Sequence, residues 1–436
     1  MDAIVIKEPL VMDAVMKGHG RFMAAGLSSS ALTALNMAAL ARLEKTGLPR
    51  RKHEMFTYAD LTPLAFDTRN FALDTPHTEI DVTPFILAGC ERSRIVLVNG
   101  VFTPDLSDIS AVGSSVAVKR MVDGGGWEKE AGRLFESLEM ENDPYAVMNM
   151  AFMRDLTQID IAPGEALAAP LQIIYVSISS DGAFAIFPRI SIRAGALSKS
   201  EIITTKATLS SGIFSSSVEE ITAGEGASLR VSAIQAARGD YAGMTKTKIA
   251  LAAKSNISHI TVSTGGRILR NCVEARLAGT EAVFNSYGLS VLKGSEQAHF
   301  YLRVSHEAED TESFQHFKNI VKDKSRASVD TTVIAQKGAV RAQSRQLVNN
   351  MILSGAALAA VKPNLMIFTD DVKCSHGATI GRLNNDQLFY IRARGVPEKE
   401  AKRALTMGFA GEIVDKIAVP SAALAARGAV MEKLEE

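Results

Sequence analysis

The chain has 436 residues, 47% of them hydrophobic, and 48 Lys+Arg balance 48 Asp+Glu. That length suits two or three structural parts or one elongated solenoid. Zero formal net charge excludes a strongly basic nucleic-acid binder and an acidic disordered chain, and it suits a protein that lives inside a complex.

Aromatic residues are scarce at 6%, while glycine numbers 32. Such a mixture favours narrow stacked strands over a helical bundle, where each glycine costs about 1 kcal/mol against alanine. The three cysteines, Cys90, Cys272 and Cys374, are odd in number and far apart. They form no disulfide framework and point to a reducing, cytoplasmic compartment. No Cys/His set has zinc-finger spacing. No secretory signal opens the sequence. The apolar runs at 31–41 and 356–361 fall short of the roughly 20 residues that span a bilayer, so no membrane association is expected.

In chain order, the first 90 residues read as helical. Ser28–Ser30 offer cap side chains, and Leu32, Leu35, Ala39 and Leu43 recur at helical spacing until Gly47 and Pro49 stop the helix. The basic run Arg50–Lys52 reads as a solvated turn. A connecting region at 91–158 mixes helix and strand, and its Gly124–Gly126 run lacks the Lys-Ser/Thr ending of a phosphate loop.

From 159 to 368 short strands alternate. Ile190, Ile192 and Ala194 interleave with Arg189, Ser191 and Arg193. Leu229, Val231 and Ala233 do so with Arg230 and Ser232. Val273, Ala275 and Leu277 interleave with Glu274 and Arg276, and Phe300, Leu302 and Val304 with Tyr301 and Arg303. Period two sends one set inward and the other outward. Glycines punctuate the runs and no helical periodicity intervenes, which leaves a stacked β-solenoid or a pair of sandwiches.

Residues 369–436 are helical again. Asn384 or Asn385 caps a helix that Gly395 ends, and Pro397 starts the next with Glu398 and Glu400 at the favourable end of its dipole. Leu405, Phe409, Ile413 and Ile417 make an apolar stripe, for the solenoid end or for a partner's groove.

The segment 369–381, TDDVKCSHGATIG, is the richest in chemistry. In an extended strand Cys374 and His376 share a face, and a thiolate with an imidazole suits iron in clusters or zinc. Two ligands cannot close a tetrahedral site, so another chain or sulfide must complete it. The same pair suits a nucleophile and its base. The plain alternative is a buried small cysteine and a hydrogen-bonded turn histidine. Asp370–Asp371 read as a turn rather than a calcium site. His299 and His306 fall on opposite faces of one strand, and His316 sits in a helical-looking SFQHFK segment as a structural residue. Cys90 and Cys272 read as core.

KPNLMIFTDDVKCSHGATIGRL, at 362–383, and DQLFYIRARGVPEKEAKR, at 386–403, closely resemble the SufB/SufD family of iron–sulfur cluster assembly proteins. The second contains that family's FYxxxRG segment. GLPRRKHEMFTYADL, at 47–61, is similar to its GLPxxxxExWxYxxL stretch, and IVLVNGVFTPDLS and IAPGEALAAPLQIIYVS fall where it has comparable strands. KCSHGAT sides with the SufD branch rather than with SufB.

The resemblance implies a mainly β fold, a right-handed parallel β-helix flanked by helical N-terminal and C-terminal parts. It implies a non-catalytic scaffold that pairs with a SufB-like subunit along the β-helix edge and docks a SufC-like ATPase through its C-terminal helices. It holds no stable cofactor of its own, and a transient iron–sulfur cluster forms at the partner interface. Cys374 and His376 carry over as candidate ligands. Phe389, Tyr390, Arg394, Gly395, Leu405 and Phe409 carry over as the ATPase-contacting region. The compartment is the cytoplasm, or a plastid in a plant or alga. Phe56 and Met366 depart from the family's tryptophan and glutamate. Val329, Thr331 and Val340 replace its phenylalanine, glycine and glutamine, which reads as repacked rungs. Two other readings stand beside this one. One is a homodimeric β-helix scaffold acting without SufB, and the other is a β-helix enzyme acting on polysaccharide, which needs paired carboxylates on a solenoid face.

Overall fold

The computed structural model describes residues 8–49, 53–61, 64, 71, 80–123, 127–179, 182–237 and 239–435. The basic run Arg50–Lys52 and the Gly124–Gly126 run lie outside them. Helices α1 (Glu8–Ala24), α2 (Thr33–Thr46), α3 (Trp127–Met140) and α4 (Pro144–Phe152) precede the solenoid. Helices α5 (Asn385–Arg392), α6 (Glu398–Val414) and α7 (Pro420–Glu435) follow it. No helix among the described residues is long and apolar enough to cross a membrane.

Gly47 ends α2 as expected, with φ 76° and its amide bonded to the Leu43 carbonyl. The start differs from the sequence reading: Leu32 holds the N-cap position, without a side-chain cap. Ser28 instead donates to Asn36 Oδ1 at 2.6 Å, and Asn36 Nδ2 donates to the Met150 carbonyl at 2.6 Å. The hydroxyl thus serves the α2–α4 contact. Pro144 opens α4 with φ already set for a first turn, and Asp143 accepts the Tyr145 amide at 3.0 Å.

The remaining chain winds into a parallel β-solenoid of about eight turns. Its first sheet includes Lys199–Thr208, Ser228–Ala237, Asn256–Gly265, Val283–Leu292, Glu312–Val321, Ala342–Ile352 and Val372–Gly381. Its second includes Arg189–Ala194, Ile213–Ala223, Tyr241–Leu251, Ile268–Leu277, Gln297–His306, Arg326–Ala335 and Leu358–Ile367. Ser228 pairs with Asn256, which pairs with Val283 and then Glu312, in steps of 28, 27 and 29 residues. This uneven step is why no strict repeat is visible in the sequence. Arg94–Val98 and Thr157–Ile161 join the first turns, so the connecting region is continuous with the solenoid. At the other end the last strand runs to Gly381, and the boundary expected at 368 falls inside the final turn. The SFQHFK segment is a strand, Glu312–Val321, paired on both sides. Tertiary pairing overrides its local helical look.

The alternation reading holds for the inward set. Ile190, Leu229, Val273, Phe300, Leu302 and Val304 all lie in the core between the sheets. The alternate set divides: Arg230, Arg276 and Arg303 are exposed, whereas Arg189 and Ser191 are buried where α3, α4 and the N-terminal region cover the outer face of the second sheet. Arg270, 2% exposed, bonds Asp143 at 2.7 Å, and Arg189 pairs with Glu220. Lys246 and Lys248 reach Glu141 at 3.4 and 2.6 Å. Burial alone pushes the Glu141 carboxyl up, yet these two ammonium groups hold it at about 2. The outer face of the first sheet is covered by the C-terminal helices. Ala410, Ile413, Val414 and Ile417 pack there on Ile260, Val262 and Leu289. The apolar stripe is therefore absorbed by the flank of the solenoid rather than by its end.

Corners between rungs demand special backbone. At Gly279 a Cβ would sit 2.0 Å from the Ala253 nitrogen, so only glycine allows the approach.

Candidate functional site

The last turn is built differently from those before it. Leu358–Ile367 and Val372–Gly381 end their sheets, and each pairs along one edge only among the described strands. The bend between them is held by Arg341 N–H on the Asp371 carbonyl at 2.7 Å, so Asp370–Asp371 form a turn. Inner strands are almost wholly buried, whereas these two are half-buried to exposed. Large apolar side chains gather around this end: Leu358, Met366, Ile367, Phe368 and Ile380, the last 55% exposed.

Cys374 and His376 stand two residues apart in the final strand, on one face. Cys374 is half-buried. Burial raises its thiol pKa, and a hydrogen bond from the Ser344 backbone pulls the other way. It borders a cleft of about 350 Å³ that also touches Phe314, Arg345, Lys373 and Ser375. His376 is exposed.

Behind this pair the previous strand supplies two polar supports. Ser344 pairs in register with Cys374, and Gln346 with His376. Ser344 Oγ lies 2.9 Å from Ser313 Oγ, which lies 2.8 Å from His306 Nε2, and His306 Nδ1 lies 2.8 Å from Thr311 Oγ1. Burial drives the His306 pKa down to about 4, so the ring is neutral. His299, on the opposite face of that strand, bonds Ser328 at 2.8 Å. The sequence carries no signal for these supports. They are ordinary strand residues until register sets them beside the cysteine and histidine.

Cys90 and Cys272 are fully buried. Burial pushes their thiols up to about 11 and about 12, so neither is a ready thiolate. Among the described residues no three His, Cys, Asp or Glu side chains converge to hold a metal ion. Cys374 and His376 thus place one soft and one borderline donor atom on one face of the last described strand.

The C-terminal set divides in two. Phe389 and Tyr390 are exposed at α5, with the Arg394 guanidinium 3.4 Å over the Tyr390 ring, and Gly395 turns the chain at φ 86°. Leu405 and Phe409 are half-buried on α6, and the ring of Phe409 lies 4.2 Å from Lys318 Nζ on the first sheet. Among the departures, Phe56 is buried with its ring 4.1 Å from the Arg270 guanidinium. Val329 and Thr331 are buried, and Met366 lies on the exposed end.

Against this geometry stand the matches to known proteins. The family model described as "SUF system FeS cluster assembly, SufBD core domain" matches residues 176–409. An iron–sulfur cluster assembly SufBD family protein of Synechocystis is 27% identical over 415 residues, covering 92% of this chain and 90% of that protein. The iron–sulfur cluster assembly protein SufD of Escherichia coli is 23% identical over 414 residues, 94% of each chain. A chloroplastic protein of Arabidopsis thaliana is 33% identical over 202 residues, 46% of this chain and 42% of its own.

Proposed function

Since this chain belongs to the SufBD family of iron–sulfur cluster assembly proteins, as a SufD homologue, we propose that it is a scaffold for cluster assembly rather than a catalyst. A SufB-like subunit adds to the open edge at Val372–Gly381, and the nascent cluster, the cargo of the complex, takes Cys374 and His376 as two of its ligands. A SufC-like ATPase docks on the C-terminal helices around Phe389, Tyr390, Arg394 and Gly395, with Leu405 and Phe409 on the following helix. The setting is the cytoplasm or a plastid.

The observation that carries this reading is the one-sided last turn. A strand edge with no partner among the described strands, rimmed by exposed Ile380 and Met366, is a template for another strand. The two candidate ligands sit on that strand, and among the described residues no third His, Cys, Asp or Glu converges with them. Closure of two ATPase subunits is then a rigid-body step that turns one solenoid against the other and opens the shared site.

Co-expression with SufB-like and SufC-like proteins gives a stable complex. His376→Ala lowers its iron and acid-labile sulfide without abolishing assembly, and unchanged iron and sulfide sink the ligand role. A self-dimer in light scattering that a SufB-like protein cannot displace turns the reading into a homodimeric scaffold.

A further inference from the structure

We infer that Gln346 is a positioning residue for His376, receiving a ring N–H on its amide oxygen and so fixing which imidazole nitrogen faces the cluster. The inference rests on the reading of His376 as a ligand.

Gln346 stands one strand behind His376, paired with it in register, so the two side chains project to the same face. It is 1% exposed. Its Nε2 donates to Thr331 Oγ1 at 3.1 Å and reaches the Asn364 carbonyl at 3.5 Å. A carbonyl only accepts, so the amide nitrogen belongs on that side and the oxygen is turned away from it. That oxygen, Oε1, is shut off from solvent and finds no hydrogen-bond partner among the described residues. A buried acceptor left without a donor is a standing cost to the fold.

The strand neighbours decide what it waits for. On the inner side Gln315 pairs in register with Gln346, and both of its own amide atoms are orphaned. An amide oxygen has two lone pairs, so a bond from Gln315 leaves one free. On the open side the register neighbour is His376, whose imidazole, when one nitrogen binds a metal, carries its N–H on the other. A ligating histidine characteristically gives its second N–H to a carbonyl or carboxylate, which fixes the tautomer and the ring plane. Gln346 Oε1 is that carbonyl, held in place from the second sheet.

The test uses the full chain labelled with ¹⁵N-histidine, then its complex with SufB-like and SufC-like proteins. In the wild type the His376 ring nitrogens show one dominant tautomer. Gln346→Met turns it into a mixture, and Gln315→Met leaves it in place. In the complex Gln346→Met lowers iron and acid-labile sulfide about 10-fold while the melting temperature of the chain does not fall. On a His376→Ala background it changes nothing further. Identical ring-nitrogen shifts in wild type and Gln346→Met overturn the inference, as does an equal loss of iron on the His376→Ala background. If His376→Ala alone leaves iron and sulfide unchanged, the ligand reading has failed and the positioning role falls with it. If His376→Ala lowers them and Gln346→Met does not, only the positioning role fails.

Discussion

The turn formed by Gln297–His306 and Glu312–Val321 and the turn formed by Leu358–Ile367 and Val372–Gly381 share strand length and parallel pairing, yet their side chains meet opposite fates. In the inner turn both sheet faces are covered, and polar groups such as His299 and Lys318 are buried against partners. In the last turn the same backbone carries Cys374 and His376 at an unpaired edge. Interior turns bury apolar volume and polar groups most of which find partners, whereas the terminal turn leaves its side chains open. The closed turns hold the buried core, and the open one carries the candidate ligands.

That contrast can be broken or sharpened by measurement. The largest expected effect is at the covered face. Arg270→Ala leaves Asp143 buried without its cation and costs about 3–5 kcal/mol in urea unfolding. A loss under 1 kcal/mol contradicts the sealed-face account.

Acid comes next. Burial lowers the pKa of His259 and His306 to about 4 and of His299 to about 3, against about 6.5 when unfolded. The unfolded chain takes up those protons first, so this stability is present above pH 6.5 and is lost as pH falls toward 4. Glu141, held at about 2, is likewise depressed, and its contribution, on the order of 3 kcal/mol, disappears between about pH 4.5 and 2. Urea midpoints should fall steadily from pH 7 to 4 and further below it. A flat midpoint across that range removes the buried neutral histidines from the account.

Two glycines sharpen the comparison at smaller scale. Gly279→Ala forces a methyl against the Ala253 backbone at 2.0 Å and costs about 1–3 kcal/mol. Gly377→Ala, in the last strand, meets nothing nearer than Leu347 Cδ1 at 3.5 Å and should shift the unfolding free energy by less than about 0.5 kcal/mol. Equal penalties at the two sites would erase the distinction between closed and open turns.

The smallest stability change is predicted at the edge itself. Ile380→Lys, at a side chain 55% exposed, should leave the unfolding midpoint within about 0.5 kcal/mol, while pull-down of a SufB-like partner drops severalfold. Undiminished capture argues that the partner docks elsewhere.

Several features were legible in the residues alone. Period-two alternation identified the inward set Ile190, Leu229, Val273 and Phe300, because side chains on a pleated strand must alternate whatever lies above them. Gly47 and Asn384 marked helix ends through local chemistry, since left-handed φ and a short amide cap need no distant partner. The C-terminal motif singled out Cys374 and His376 by type and spacing.

Tertiary structure decided the rest. Alternation cannot say whether the second face meets water, so Arg189 reads as an outward charge until the N-terminal helices close over it and its partner Glu220. SFQHFK looked helical because Phe314 and Phe317 stand at helical spacing, and only pairing on both sides made it a strand. Gln346 and Ser344 acquired meaning through register alone, thirty residues from the groups they support. The sequence by itself determined which residues can carry cluster chemistry and which faces of the strands are apolar, because those follow from side-chain type and the pleat. Only the winding of the solenoid determined that Cys374 and His376 fall on a terminal turn whose outer edge has no neighbour among the described strands, because an edge is a property of the stack and of no single strand.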